Sequence, residues 1–221
     1  MKIALAIFDL DGVIVDTAKY HYQAWKRLAA ELGFDFSETH NERLKGVSRM
    51  RSLEILLEVG GMHKTPAEME QLADKKNRWY VEYISAMDES EILPGALEFL
   101  QEAKAAGAKI ALGSASKNAH LILDRLNLTR FFDFIVDGTL VSKAKPDPEV
   151  FSLAAEKLKI APARCVVFED AAAGIEAAKR AGMFAVGVGD EHVLHEAHLI
   201  IPGLEGVSFR QLCGKLPEQP T

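Results

Sequence analysis

The chain has 221 residues, 48% hydrophobic and 26% charged, with a formal net charge of −6. That length suits one large domain or one domain with a modest insert, and the balance is that of a globular protein rather than a disordered one. The negative charge argues against a nucleic-acid surface, no apolar run approaches the roughly 18 residues of a membrane span, and Cys165 and Cys213 show no metal or redox spacing, so a cytoplasmic setting is expected.

Met1-Lys2-Ile3-Ala4 runs straight into the first expected strand, which points to a chain starting at or near Met1 rather than to a cleavable signal. The polar, Pro-containing tail from Gly214 to Thr221 is expected to fray. Ile3 to Ile7 reads as a buried strand that surfaces at Phe8-Asp9-Leu10-Asp11-Gly12-Val13. If extension persists, Asp9 and Asp11 point to one side and repel, so something positive belongs beside them: a divalent cation, a phosphate with its cation, or a lysine. Turn chemistry accounts for Asp11-Gly12 but not for Asp9. An aspartate can attack phosphorus to form an aspartyl-phosphate, and a second carboxyl can protonate the leaving oxygen.

The pattern then turns helical. Tyr22, Trp25, Leu28, Ala29 and Leu32 recur at threes and fours before a stop at Gly33, and helices are expected over about 49–59 and 66–87 with Gly60-Gly61 between them. No strand is expected from Thr17 to Met87. Residues 17–87 therefore form an all-helical unit inserted in a core of 1–16 and 88–221, placed to act as a lid with hinges near Thr17 and near Met87 to Glu91. Within it, Lys45-Gly46-Val47-Ser48-Arg49 is a loop with two cations, and Gly46 permits close backbone approach. Surface charge explains that loop equally, as it does His21 and Lys76, and Trp25 is most simply a core residue.

Beyond Pro94-Gly95 strands and helices alternate. Strands are expected at 109–112, 134–136, 165–168, 184–188 and 199–201, with helices at 96–106, 117–126, 146–158 and 172–181. This is the signature of an α/β fold, a Rossmann-like parallel sheet with helices on both faces. Asp9 and Asp11, Ser114 and Ser116, and Glu169 and Asp170 all follow the carboxyl ends of strands, where such sheets bind ligands. Glu169-Asp170 reads as a helix cap or, with Asp9, as oxygen ligands for a hard cation such as Mg²⁺. Ser114-Ala115-Ser116-Lys117-Asn118 reads as a capped helix start with Ser116 as N-cap, which also makes an anion site. Lys145, taken alone, is a solvated lysine or a phosphate ligand.

In this order, Asp9-Leu10-Asp11-Gly12, the Ser114 loop, Lys145-Pro146 and Glu169-Asp170 resemble the four signatures of the haloacid dehalogenase superfamily of phosphotransferases, over nearly the whole chain. The helical insert resembles its subclass with a helical-bundle cap. The resemblance implies Asp9 as phosphorylated nucleophile, Asp11 as general acid and base, and Ser114, Ala115 and Lys145 as ligands of the transferred phosphate. It also implies Mg²⁺ held by Asp9, Asp11, Glu169 and Asp170, and a cis Lys145-Pro146 bond.

Asp16-Thr17-Ala18-Lys19-Tyr20-His21, Trp25, Leu44 to Arg49, Lys76-Asn77 and Gly113 to Asn118 are most similar to the superfamily's hexose-phosphate mutases. That implies interconversion of β-glucose 1-phosphate and glucose 6-phosphate, with β-glucose 1,6-bisphosphate as intermediate and activator. Gly46, Val47, Ser48, Arg49, Ser52, Ser116, Lys117, Asn118, Trp25 and Lys76 would bind the sugar and its distal phosphate, and Thr17 and His21, with Lys76, would couple lid closure to Asp11. The chain departs from relatives at Ala171-Ala172-Ala173-Gly174, where a serine and glutamine are often found. The expected partners are small-molecule sugar phosphates, with no nucleic acid and no membrane, bound by a monomer. Two other readings stay open: a Mg²⁺-dependent sugar-phosphate phosphatase, and a non-catalytic sugar-phosphate-binding module.

Overall fold

The computed structural model describes residues 3–44 and 47–216. Gly46, with Lys45 beside it, and most of the tail expected to fray lie outside the described residues. Two compact units divide the chain, Met1–Asp16 with Asp88–Thr221, and Thr17–Met87.

The first unit opens on β1 (Leu5–Phe8), and the second supplies α1 (Ala18–Leu32), α2 (Glu38–Glu42), α3 (Arg49–Val59) and α4 (Pro66–Ser85). The first then resumes with α5 (Ala96–Ala105), β2 (Lys109–Gly113), α6 (Ala119–Arg125), β3 (Phe134–Val136) and α7 (Glu149–Leu158). It ends with β4 (Cys165–Glu169), α8 (Ala172–Arg180), β5 (Phe184–Val188), α9 (Glu191–Leu194), β6 (Leu199–Ile201) and α10 (Phe209–Gly214).

The six strands pair in parallel in the order β3-β2-β1-β4-β5-β6. β1, β4 and β5 are buried along their whole length, which is why they read as continuous apolar runs rather than as alternation. Strand order reverses between β1 and β4, the switch point where ligands bind in such sheets. Phe8 is in register with Leu112 on one side and Phe168 on the other, so the next residue, Asp9, is level with Gly113 and Glu169.

Beneath those ends lies an aromatic layer. Phe8 stacks on Phe168 with centroids 4.8 Å apart, and Phe99 of α5 meets the two edge-on at 6.1 and 5.1 Å. Phe209 of α10 meets Phe99 edge-on at 5.5 Å. Each such buried ring contributes about 1.5–3 kcal/mol, so the strand ends stand on a stiff floor. Glu102 fastens α10 by accepting from the Ser208 hydroxyl (2.7 Å) and the Phe209 N–H (2.9 Å).

In the helical unit, α4 packs against α1 and α3. Gly33 closes α1 at φ 91°, and Thr65 and Glu68 form a capping box at the start of α4 with Pro66 in its first turn. No strand occurs here among the described residues.

Several boundaries differ from the sequence reading. α7 begins at Glu149 instead of Pro146, because Lys145 and Asp147 each precede a proline and are kept out of the helical region. α6 begins at Ala119 with Asn118 at the N-cap, so Ser116 does not cap it; the Ser116 hydroxyl accepts from the Asn118 N–H (3.2 Å) in a turn instead. α2, unexpected from periodicity, is held by reciprocal bonds between Ser37 and His40.

Candidate active site

β1 delivers Asp9, whose N–H donates to the Phe168 carbonyl at 2.9 Å. Extension stops there. Ile14 and Val15 both donate to the Leu10 carbonyl (2.9 and 3.1 Å), so Asp11 lies in a tight loop and the side-by-side geometry of an extended strand does not reach it. Gly12 has φ 77°, and a Cβ on it would fall 2.0 Å from Asp170 Oδ2, so only glycine lets that carboxylate approach.

The counter-charge is Lys145. Its Nζ donates to Asp9 Oδ1 at 2.6 Å and to Glu169 Oε2 at 2.8 Å, with the Phe151 ring 4.9 Å from the ammonium. It is therefore not a solvated surface lysine. Glu169 is buried and also accepts from the Ala171 N–H at 3.1 Å. Ala171, not Glu169 or Asp170, occupies the N-cap of α8, and no acidic residue lies in the first helical turn, so the capping alternative for this pair does not hold.

Asp9, Glu169 and Asp170 each offer a carboxylate oxygen within 4.8 Å of the others. Three carboxylates facing one lysine are short of positive charge. Burial, opposed by Lys145 and reinforced by Asp9 and Asp170, raises the Glu169 carboxyl above its ordinary value; burial and Asp9 push Asp170 up to about 6. Burial alone would depress the Lys145 ammonium, but Asp9 and Glu169 override it and hold it above the usual lysine value. An all-oxygen cluster in this condition fits a hard divalent cation, which would supply the missing charge.

The Ser114 loop follows β2. Ser114 is buried, donates its N–H to the Val136 carbonyl (2.9 Å) and accepts the Ser116 N–H on its hydroxyl (3.1 Å). The Gly138 N–H braces the Ser116 carbonyl at 3.1 Å, and a Cβ on Gly138 would lie 2.2 Å from the Ala115 carbonyl oxygen. Lys117 and Asn118 continue this turn into α6. The Lys145-Pro146 bond is cis, as the resemblance implies.

The remaining candidates belong to the helical unit. Lys76 is buried, its Nζ 2.8 Å from His21 Nδ1 and 4.5 and 4.8 Å from the ring centroids of Trp25 and Tyr80. Tyr80 stacks on His21 at 4.0 Å and donates its hydroxyl to Thr17 Oγ1 at 3.3 Å. The Arg49 guanidinium donates to Asn77 Oδ1 at 2.9 Å. Ser48 caps α3 through the Arg51 N–H (3.3 Å), Ser52 is buried and Val47 is exposed.

Burial, then Lys76 and Arg49, pushes His21 well below an ordinary imidazole; burial and Arg49 bring Lys76 down to about 7. The cost to the fold is thus complete below pH 7, where Lys76 is charged folded and unfolded, and vanishes above the unfolded value near 10.5. Ring faces and His21 return part of it. Lys76→Met is expected to raise the melting temperature by several degrees at pH 6 and by progressively less towards pH 10, read by thermal melts across that range.

Sequence reasoning missed Phe151, Gly138 and Gly174. A Cβ on Gly174 would meet Glu169 Cδ at 2.0 Å, so α8 carries glycine where it passes the carboxylate. A glycine inside a helical run was the available signal.

A β-phosphoglucomutase of Bacillus subtilis (strain 168) is 48% identical over 197 residues, covering 88% of this chain and 87% of its own. The crystal structure of β-phosphoglucomutase from Clostridium difficile is 42% identical, with a TM-score of 0.90 over 98% of this chain and 97% of that one. A phosphorylated carbohydrates phosphatase of Thermotoga maritima is 32% identical over 88% of each chain. The profile of the haloacid dehalogenase-like hydrolase family matches residues 3–182, the stretch that carries every carboxylate of the cluster and Lys145, and the chain belongs to that family.

Proposed function

We propose that the chain is a β-phosphoglucomutase, interconverting β-glucose 1-phosphate and glucose 6-phosphate through an aspartyl-phosphate and β-glucose 1,6-bisphosphate. The observation that carries this is the junction of Asp9, Lys145, Glu169 and Asp170 at the sheet's switch point, in a chain 48% identical to an enzyme of that name. An Asp9 oxygen forms its bond to phosphorus as the phosphorus–oxygen bond to the donor sugar breaks, and the departing sugar oxygen takes a proton from Asp11. The second half reverses this: Asp11 accepts a proton from the other hydroxyl as that oxygen attacks the aspartyl-phosphate.

Lys145 and the Ser114 and Ala115 donors hold the phosphoryl oxygens and stabilise their charge in flight, which is where most of the rate acceleration in phosphoryl transfer arises. Mg²⁺, held by Asp9, the Asp11 carbonyl, Glu169 and Asp170, would neutralise the anionic phosphoryl group so that a carboxylate can approach it. We assign the distal phosphate to Arg49, Ser116, Lys117 and Asn118, the sugar to Gly46, Val47, Ser48, Ser52, Trp25 and Lys76, and the coupling of closure to Thr17 and His21. The substrates are small sugar phosphates, taken by a monomer. The two free thiols suit a cytoplasmic setting, and among the described residues no helix is long and apolar enough to cross a membrane.

The phosphatase reading is favoured by the Thermotoga maritima relative. The two part in one assay, β-glucose 1-phosphate supplied with and without β-glucose 1,6-bisphosphate while glucose 6-phosphate and free phosphate are both measured. Glucose 6-phosphate should form, faster with the bisphosphate, and removal of divalent cations by EDTA should stop it until Mg²⁺ is restored. Rapid phosphate release without glucose 6-phosphate would make the enzyme a hydrolase.

A further inference from the structure

Lys145 reaches the carboxylates from the connection between β3 and α7, which contains no helix or strand of its own. A flexible side chain on such a segment would spread its ammonium over several positions. Here it makes two short bonds, to Asp9 Oδ1 and Glu169 Oε2. We propose that Glu149, the first residue of α7, is the positioning residue for Lys145: its carboxylate gathers the backbone just ahead of Lys145 into a closed loop that delivers the ammonium to one place. The inference rests on the reading of Lys145 as a ligand of the transferred phosphoryl group.

Glu149 Oε2 accepts two backbone N–H groups, from Ser142 at 2.9 Å and from Lys143 at 2.8 Å. The Ser142 hydroxyl lies 3.2 and 3.1 Å from its two oxygens. A second layer closes the same loop from inside, where the Glu149 N–H donates to Asp147 Oδ1 (3.0 Å) and the Asp147 N–H to the Ala144 carbonyl (3.0 Å). Lys143 Nζ adds an ion pair to Asp147 Oδ2 at 3.4 Å. Lys145 stands between these anchors, two residues beyond the last N–H that Glu149 takes and one beyond the carbonyl that Asp147 takes.

The Glu149 bonds do not serve α7 itself. Both backbone donors lie upstream of the helix, and Pro148 at its N-cap makes no side-chain bond. The Lys143 N–H first, then those of Ser142, hold the Glu149 carboxyl below its ordinary value, so it is the charged form that these donors engage. With the carboxylate gone, two backbone N–H groups would turn to water and the loop ahead of Lys145 would be left to the Asp147 bonds, a looser tether for the ammonium.

The test is steady-state conversion of β-glucose 1-phosphate, with the bisphosphate present, by the wild type, Glu149→Ala, Glu149→Gln, Lys145→Ala and the Glu149→Ala/Lys145→Ala double variant. Glu149→Ala is expected to lower kcat about tenfold to a hundredfold with a smaller change in KM, since a misplaced group weakens the transition state most. Glutamine should restore most of it, because its carbonyl oxygen can still take both N–H groups. In the Lys145→Ala background, Glu149→Ala should cost less than about twofold more, the non-additivity of two residues acting through one group. Should the alanine variant fail to fold, Glu149→Met, of similar size and without an acceptor, carries the same comparison.

Wild-type kcat in Glu149→Ala, or the same loss with and without Lys145, overturns the positioning role. Wild-type turnover in Lys145→Ala would sink the phosphate-ligand reading itself, a failure visible without any Glu149 variant.

Discussion

Asp9→Asn is expected to lower the turnover of β-glucose 1-phosphate by about four orders of magnitude or more, because an amide oxygen cannot form the aspartyl-phosphate and no neighbour can replace it. Glu169, level with Asp9 on the neighbouring strand, is buried and tied by both oxygens, to Lys145 and to the Ala171 N–H. The fold should tolerate the change. Asparagine keeps an acceptor for Lys145, which retains Glu169, and removing one of three crowded carboxylates offsets the lost ion pair. Single-turnover assays with a thermal melt in EDTA check both halves. Turnover near the wild-type rate would exclude Asp9 as nucleophile.

Gly174→Ala should be damaging although the residue takes no part in the chemistry. Helix propensity alone predicts a gain of about 1 kcal/mol from replacing a helical glycine by alanine. Against it stands a Cβ placed 2.0 Å from Glu169 Cδ and 2.2 Å from Oε2, the oxygen that receives Lys145. Either α8 moves off the sheet or the carboxylate leaves its place, and overpacking of this kind costs about 1–3 kcal/mol. We expect a net loss of stability, weaker Mg²⁺ binding and turnover down by about a hundredfold. A melt and a Mg²⁺ titration of activity read these, and an alanine variant both stabler and fully active would show that the close approach constrains nothing.

The two variants also mark where sequence is and is not informative. Asp9, Glu169 and Asp170 could be found because a parallel sheet concentrates its ligands at strand ends, and strand ends are visible as the point where an apolar run breaks. Lys145 needed the family resemblance; its own neighbourhood offered only a lysine before a proline, and the two short bonds that give it meaning come from residues far away in the chain. Gly174 was visible only as a glycine inside a helical run; the carboxylate it must clear, Glu169 on the preceding strand, shows only in the fold. The short helices α2, α9 and α10 escaped for another reason. They have too few turns to show periodicity, and each is set by a polar residue at its start, Ser37, Asp190 or Ser208.

One detail of the α/β unit carries a longer consequence. Val15 bridges to Ile92, and the Leu93 N–H donates to the Ile14 carbonyl at 2.9 Å, so the outgoing and returning segments are stitched to each other before the helical insert begins and after it ends. To the sheet, the whole of 17–87 is a detour between two neighbouring points, and the entropy of closing such a detour rises only slowly with its length. The insert is in that sense a cassette. Mutation can resize or exchange it while the stitch keeps β1 in register, so the insert can change its sequence and size with the carboxylate cluster of the sheet left in place.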